Sequence, residues 1–298
     1  MELADALARG TVVLDGGMST VLELAGHDLS DELWSARLLL TDPGAVRAAH
    51  LAYYRAGAEV AITASYQASF AGFAHRGIGD TEAERLLRSS VALARSAASD
   101  VDGQRWVAAS IGPYGAVLAD GSEYRGRYGL TRRELVEFHR RRLEVLWEAG
   151  PDVLAVETVP DVDEAEAVLE VLRGSGVPAW LSYSARGDRT CAGQPLEEAF
   201  AVAAGIDEVI AVGVNCCAPG DVAGAVAAAR RVTGLPVVVY PNSGERWDAA
   251  RRSWTGDGAG FVPPVREWVG AGARLVGGCC RTGPEDIAAL AEGLAVRS

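Results

Sequence analysis

Apolar residues in this chain fall into short, near-continuous runs, separated by longer stretches in which they recur at helical spacing. The runs lie at 12–15, 59–63, 106–111, 153–157, 179–183, 209–213, 237–240 and 275–276. Strands buried on both faces of a parallel sheet have this character, because neither face is left for polar residues. The pattern therefore predicts eight strands. Helix-start signals precede the amphipathic stretches between them. Thr41-Asp42-Pro43 opens one that continues through Tyr54, and Asp80-Thr81-Glu82 opens one through Ala98. Thr131 and Glu134 have capping-box spacing at the head of a stretch that reaches Trp147. Asp161, Pro195, Pro219 and Pro284 head four more, and 261–269 completes the set.

Eight strand–helix units predict an α/β fold, a single-domain (β/α)8 TIM barrel covering 1–298. A doubly wound open sheet is the alternative. Its dinucleotide-binding version is weakened because no Gly-x-Gly-x-x-Gly follows the first run. Long connections follow the first strand (16–40), the third (112–130) and the seventh (241–260). In a barrel all three rise at the C-terminal ends of the strands, the face where catalysis takes place.

Composition narrows the function. At 298 residues the chain suits a barrel, which runs to about 250. No apolar run reaches the roughly 18 residues needed to cross a membrane, and no charged-then-apolar leader precedes the first strand. The expectation is a soluble, cytoplasmic protein without a membrane partner, a monomer or small homo-oligomer. A net charge of −12 argues against nucleic acid, whose phosphates it would repel. Every basic residue is Arg, and the absence of Lys excludes Schiff-base chemistry through a lysine amine.

The cysteines change the picture most. Four of the five end two predicted strands: Gly213-Val214-Asn215-Cys216-Cys217 and Gly277-Gly278-Cys279-Cys280. Without a secretion signal such cysteines point to metal or catalysis rather than disulfides. From the sixth and eighth strand ends they can converge across the barrel mouth. Three thiolates bind zinc and leave a fourth tetrahedral position open, as catalytic zinc requires. Sulfur ligation disfavours Mg2+ and Ca2+. Adjacent strand residues face opposite ways. Cys279 and Cys280 can then share one metal only if the chain leaves the strand between them, which Gly277 and Gly278 would ease. Strand geometry leaves the choice between Cys216 and Cys217 open. Cys191, in a Gly-containing loop, is expected to be incidental. Asp15 and Glu157 end the first and fourth strands, so both carboxylates should face the mouth. Of the four histidines, His50 and His139 lie in predicted helices, where surface or packing roles are expected.

Motifs along nearly the whole chain resemble the homocysteine S-methyltransferase family. They are Asp15-Gly16-Gly17-Met18-Ser19-Thr20, Thr63-Ala64-Ser65-Tyr66-Gln67-Ala68-Ser69, Ser110-Ile111-Gly112-Pro113-Tyr114-Gly115 and Leu118-Ala119-Asp120-Gly121-Ser122-Glu123-Tyr124. Glu157-Thr158-Val159-Pro160, Gly213-Val214-Asn215-Cys216, Tyr240-Pro241-Asn242-Ser243-Gly244-Glu245 and Gly277-Gly278-Cys279-Cys280 continue the match in order.

The resemblance implies that Zn2+ is held by Cys216, Cys279 and Cys280, with Cys217 pointing away, and that homocysteine sulfur completes the tetrahedron. It also implies that Asp15 and Glu157 are the catalytic carboxylates that hold the homocysteine ammonium. Gly16, Gly17, Tyr66 and Asn215 would complete the substrate site. The partners implied are homocysteine and a sulfonium methyl donor. S-methylmethionine is expected as the main donor, with S-adenosylmethionine second; betaine is a less favoured alternative. Aromatics near this face, among them Tyr66, Tyr114, Tyr124 and Trp254, could attract a sulfonium by cation–π contact. The competing class is a non-catalytic zinc-thiolate store or thiol sensor, whose site would be closed by a fourth ligand.

Overall fold

The structure, a computed structural model, describes residues 1–29, 33–248, 253–255 and 264–295. Eight parallel strands form its frame: β1 (Val12–Val13), β2 (Val60–Ile62), β3 (Trp106–Ile111), β4 (Val153–Val159), β5 (Ala179–Arg186), β6 (Val209–Asn215), β7 (Val237–Tyr240) and β8 (Ala273–Val276). From β2 onwards each pairs with the next in sequence, and β8 pairs with β1. The last gap is closed by a parallel bridge between Leu14 and Val60, with Glu59 N–H donating to Val13 O at 2.8 Å and Asp15 N–H to Val60 O at 3.0 Å. The sheet is therefore a closed (β/α)8 barrel, and the open-sheet alternative is set aside.

Side chains alternate along the strands between two hydrophobic regions. Val60, Trp106, Ala108, Val153, Trp180 and Leu275 pack inside the barrel. Their neighbours, among them Val107, Ala109, Leu154, Leu181 and Val212, pack outwards against the helices. Trp180 and Tyr240 fill the interior, and the indole N–H donates to the phenol oxygen at 3.0 Å. A helix unforeseen from the sequence, Leu3–Arg9, adds Leu3, Ala6 and Leu7 to the interior cluster.

The helices follow their start signals. Asp42 caps Pro43–Arg55 by accepting from Ala45 N–H at 3.0 Å. Thr131 and Glu134 form the capping box of Arg132–Glu148. Asp80–Ala98, Val162–Leu172, Leu196–Ala201, Val222–Thr233 and Pro284–Ala295 complete most of the outer ring. Of the helix expected at 261–269, residues 261–263 lie outside the described residues and the helix is Val265–Ala271.

His50 and His139 have packing positions rather than surface ones. His139 Nε2 meets Glu164 Oε1 at 2.9 Å. His50 is wholly buried with neither ring nitrogen partnered, and burial lowers its pKa to about 4. Among the described residues no helix is long and apolar enough to cross a membrane.

Candidate active site

The ends of β6 and β8 bring three thiols together. Cys216 Sγ lies 2.9 Å from Cys279 Sγ and 3.6 Å from Cys280 Sγ, and the last two are 4.0 Å apart. The backbone makes this possible in two ways. β6 stops at Asn215, and Cys216 takes the left-handed conformation, with φ +49°. For a residue with a Cβ that conformation costs about 1–2 kcal/mol. It turns the chain so that Cys216 joins the cluster while Cys217 is buried in the outer hydrophobic layer. The choice left open by strand geometry is thus made by one backbone angle. On the other side β8 ends at Val276, and both Cys279 and Cys280 leave the strand.

The segment that follows β7 ties the two cysteine segments to each other. Tyr240 O accepts from Cys216 N–H at 3.2 Å, and Asn242 N–H donates to Cys217 O at 3.0 Å. Pro241 O accepts from Cys279 N–H at 2.8 Å, and Asn242 Oδ1 accepts from Cys280 N–H at 3.1 Å. Asn242 is a positioning residue that residue-level reading of the sequence missed; only its place in a family motif signalled it.

Three thiols this close cannot all ionise alone. Hydrogen bonds from Cys279 and Cys280 push Cys216 towards thiolate, and donating to Cys216 keeps the other two protonated. Burial pushes the Cys217 thiol well up, as suits a packing residue. Among the described residues this trio is the one Cys, His or carboxylate cluster with the spacing to hold a metal ion. Four ligands at Zn–S bonds of about 2.3 Å stand roughly 3.8 Å apart in a tetrahedron. Two of the three separations already fit, and the 2.9 Å contact is the one that must open.

Two carboxyls belong to the same end of the barrel. Asp15 directly follows the β1–β2 bridge; its Oδ2 accepts from Ile62 N–H at 2.8 Å, while Oδ1 is buried without a partner. Burial raises its pKa, and the nearby Glu157 charge adds to the effect. Glu157, inside β4, is held by the hydroxyls of Ser110 and Tyr240. Burial nevertheless pushes it up to about 7, helped by the charge of Cys216. Both acids therefore sit where a buried cation would stabilise their charged forms.

Other expected site residues are placed as follows. Gly17 lies against Cys279: a Cβ there would stand 2.5 Å from the Cys279 carbonyl oxygen. Gly16 likewise has no room beside Thr282 O, at 2.6 Å. Tyr66 is near enough to Cys216 and Glu123 for both charges to act on its phenol. Asn215 is wholly buried and its amide is engaged within the protein. It accepts from Thr158 N–H at 2.7 Å and from the Ser182 hydroxyl, and donates to Thr158 Oγ1 at 2.7 Å. Tyr124 Oη lies 3.7 Å from Cys216 Sγ. Tyr114 instead packs on Tyr128 and Phe138, with centroids at 5.3 and 4.9 Å. The Trp254 side chain lies outside the described residues.

The sequence profile of homocysteine S-methyltransferases matches residues 12–294. The chain belongs to the homocysteine S-methyltransferase family. It is 47% identical to homocysteine S-methyltransferase 4 of Zea mays, covering 95% of this chain and 89% of that protein. It is also 47% identical to the homocysteine S-methyltransferase of Escherichia coli K12, covering 94% of each. Among solved structures, the metallated form of the homocysteine methyltransferase MmuM from Escherichia coli superposes with a TM-score of 0.86 at 44% identity, over 95% of this chain and 96% of that one. This homocysteine S-methyltransferase thus has a cysteine cluster capable of binding a metal and a counterpart crystallised in a metallated form.

Proposed function

We propose that the chain transfers a methyl group from a sulfonium, preferentially S-methylmethionine, to homocysteine, using zinc held by Cys216, Cys279 and Cys280. The observation that carries this reading is the convergence of three thiols beside two buried carboxyls, one with an unpartnered oxygen. Zinc in this site would supply the positive charge that keeps a sulfur ligand deprotonated at neutral pH.

The chain's own residues bind and orient. Asp15 Oδ1 and Glu157 are suited to grip the homocysteine ammonium, which would hold both in their charged forms. Ser110 and Tyr240 fix the Glu157 carboxyl. Gly16 and Gly17 let the Thr282 and Cys279 carbonyls close on the main chain beside the place where the amino-acid end would lie. The loop carrying Tyr124 reaches to 3.7 Å from the Cys216 sulfur and would limit water there. In the transfer, the acceptor sulfur's electron pair forms the new S–C bond as the donor's S–C bond breaks. The donor leaves as a neutral thioether, so no general acid is required, and an acceptor sulfur whose proton zinc would already have displaced to solvent needs no general base. That suits a site whose metal-spaced cluster holds no histidine, His50 and His139 being buried elsewhere.

The test is methionine formation by zinc-loaded protein supplied with homocysteine and, separately, S-methylmethionine, S-adenosylmethionine or betaine. The expected order is S-methylmethionine, then S-adenosylmethionine, with betaine inactive. Zinc binding without turnover from either sulfonium would favour a storage or sensing role.

A further inference from the structure

A third carboxyl lies near enough to Cys216 to feel its charge, and the acceptor has no need of it. Glu123 belongs to the single turn Ser122–Tyr124 in the loop after β3. Its neighbour Tyr124 reaches to 3.7 Å from Cys216 Sγ, so the turn lies over the thiols. The turn is firmly seated. Asp120 accepts from Ser122 N–H at 2.9 Å, Glu123 O accepts from Ser184 Oγ at 3.4 Å, and a Cβ on Gly115 would stand 2.5 Å from Glu123 N. Glu123 Oε2 is nonetheless buried and has no hydrogen-bond partner. Burial pushes this carboxyl up to about 7, and the Cys216 charge adds to the shift. The one cation that opposes the shift, Arg125, is 67% exposed and already engaged with Asp120 at 3.6 Å and Ser122 Oγ at 3.1 Å.

A carboxylate with one oxygen buried and unpartnered, beside a second negative centre, is costly unless a cation arrives. On the proposed function, three cationic centres enter this site: the acceptor ammonium, the donor ammonium and the donor sulfonium, of which only the sulfonium loses its charge in the reaction. The acceptor ammonium has Asp15 and Glu157 on the strand side. We infer that Glu123 is the charge partner of the donor's sulfonium centre, and so the residue that discriminates the cationic donor from its neutral thioether. The inference rests on the proposed methyl transfer. Once the methyl has left, the S–C bonding pair stays on the donor sulfur and the positive charge is gone. Glu123 then loses its partner, which favours release of the spent donor over binding of a fresh neutral one.

The experiment uses zinc-loaded, full-length protein at saturating homocysteine. It measures KM for S-methylmethionine and the inhibition constant of methionine competitive with it; the ratio of the inhibition constant to that KM reports preference for the cation. In Glu123→Gln the ratio should fall about ten- to a hundredfold, as loss of a charge-assisted contact implies. Zinc content and KM for homocysteine should hold. Glu123→Asp keeps the charge and should retain more of the preference than Glu123→Gln. Asp120→Asn loosens the turn and, by removing a neighbouring negative charge, favours the charged form of Glu123; it should lower the rate but leave the ratio in place. An unchanged ratio in Glu123→Gln would overturn the inference, as would equal weakening of both ligands, or equal loss in the Gln and Asp variants. A wild-type protein inactive with both sulfonium donors would instead overturn the proposed function.

Discussion

The Sγ atoms of Cys216 and Cys279 lie 2.9 Å apart although 63 residues separate them and β7 lies between their strands. The barrel's curvature and the left-handed turn at Cys216 together produce that contact. If the trio is the metal site, each member supplies a ligand that no neighbour can replace, because Cys217 faces the outer layer and its thiol is held protonated by burial. Purified protein should carry about one zinc per chain. Cys216→Ser, Cys279→Ser or Cys280→Ser should lose it, and Cys217→Ser or Cys191→Ser should keep it. Metal analysis of the five variants checks this. Zinc retained in Cys216→Ser but lost in Cys217→Ser would reverse the ligand choice.

Glu157 separates metal binding from substrate binding. Its carboxyl is held by Ser110 and Tyr240 and does not belong to the thiol trio. Glu157→Gln keeps the shape and removes the charge offered to the homocysteine ammonium. A charge-assisted hydrogen bond is worth roughly 1.5–3 kcal/mol, so homocysteine affinity should fall about ten- to a hundredfold. Zinc content should not change. Calorimetric titration with homocysteine that gave the wild-type affinity would make Glu157 a structural carboxylate.

Most of the frame was legible in the sequence because a closed parallel barrel buries its strands on both faces. The runs at 106–111 and 237–240 match β3 and β7 end to end, and the other six overlap their strands. The short elements were not legible. Leu3–Arg9, Met18–Leu24 and Tyr114–Leu118 are too brief to show a helical period, and tertiary packing stabilises them. The site divides in the same way. Cysteines at two strand ends announced themselves, and so did carboxyls at two others. Asn242 and Glu123 did not, because a loop residue's role depends on where its backbone is carried. The choice of Cys216 over Cys217 rests on a positive φ, which nothing in Val214-Asn215-Cys216-Cys217 specifies locally.

Gly17 is a test of how tightly the metal loop is braced. A methyl group at this position would stand 2.5 Å from Cys279 O and 2.7 Å from Thr20 Oγ1, which itself accepts from Arg281 N–H at 3.1 Å. Backbone on the cysteine side must shift to admit it. Gly17→Ala should therefore weaken zinc binding by about ten- to a hundredfold, the range seen when supports of metal ligands are removed. Competition with a chromogenic chelator reads this directly. Wild-type zinc affinity would mean that the Cys279 segment yields without disturbing its thiol.

His50 sets a pH dependence of stability remote from the metal. Burial lowers its pKa to about 4, and neither ring nitrogen has a partner. The unfolded chain takes up this proton near pH 6.5, well before the folded one does. Its contribution is fully present above about pH 6.5 and is lost as pH falls towards about 4. By pH 4.5 the loss amounts to about 2.5 kcal/mol. His50→Leu removes the proton site and two unpartnered nitrogens. It should be as stable as wild type or more so at pH 7.5, with an advantage that grows as the pH falls. Urea unfolding at several pH values provides the comparison, and parallel curves for the two proteins would contradict it.

The loop over the thiols should govern turnover more than metal retention. Residues 118–124 are shaped by left-handed backbone at Ala119 and Gly121, with φ +53° and +81°, and they end at Tyr124 above Cys216. None of the three thiols comes from this segment. Its contribution lies in drying the space where an anionic sulfur meets a cationic donor and in carrying Glu123 there. Both charges lose hydration there, and their mutual attraction strengthens as water leaves. Shortening 118–124 to a brief glycine-containing turn should lower the methyl-transfer rate from S-methylmethionine by about a hundredfold or more, within the range attributed to ordered, water-excluding sites. Zinc content should fall far less. Single-turnover methyl transfer, measured beside metal analysis, distinguishes the two effects. If the shortened protein turns over normally, the loop is no lid. If zinc is lost in step with rate, the Tyr124 contact supports the cysteines rather than the reaction.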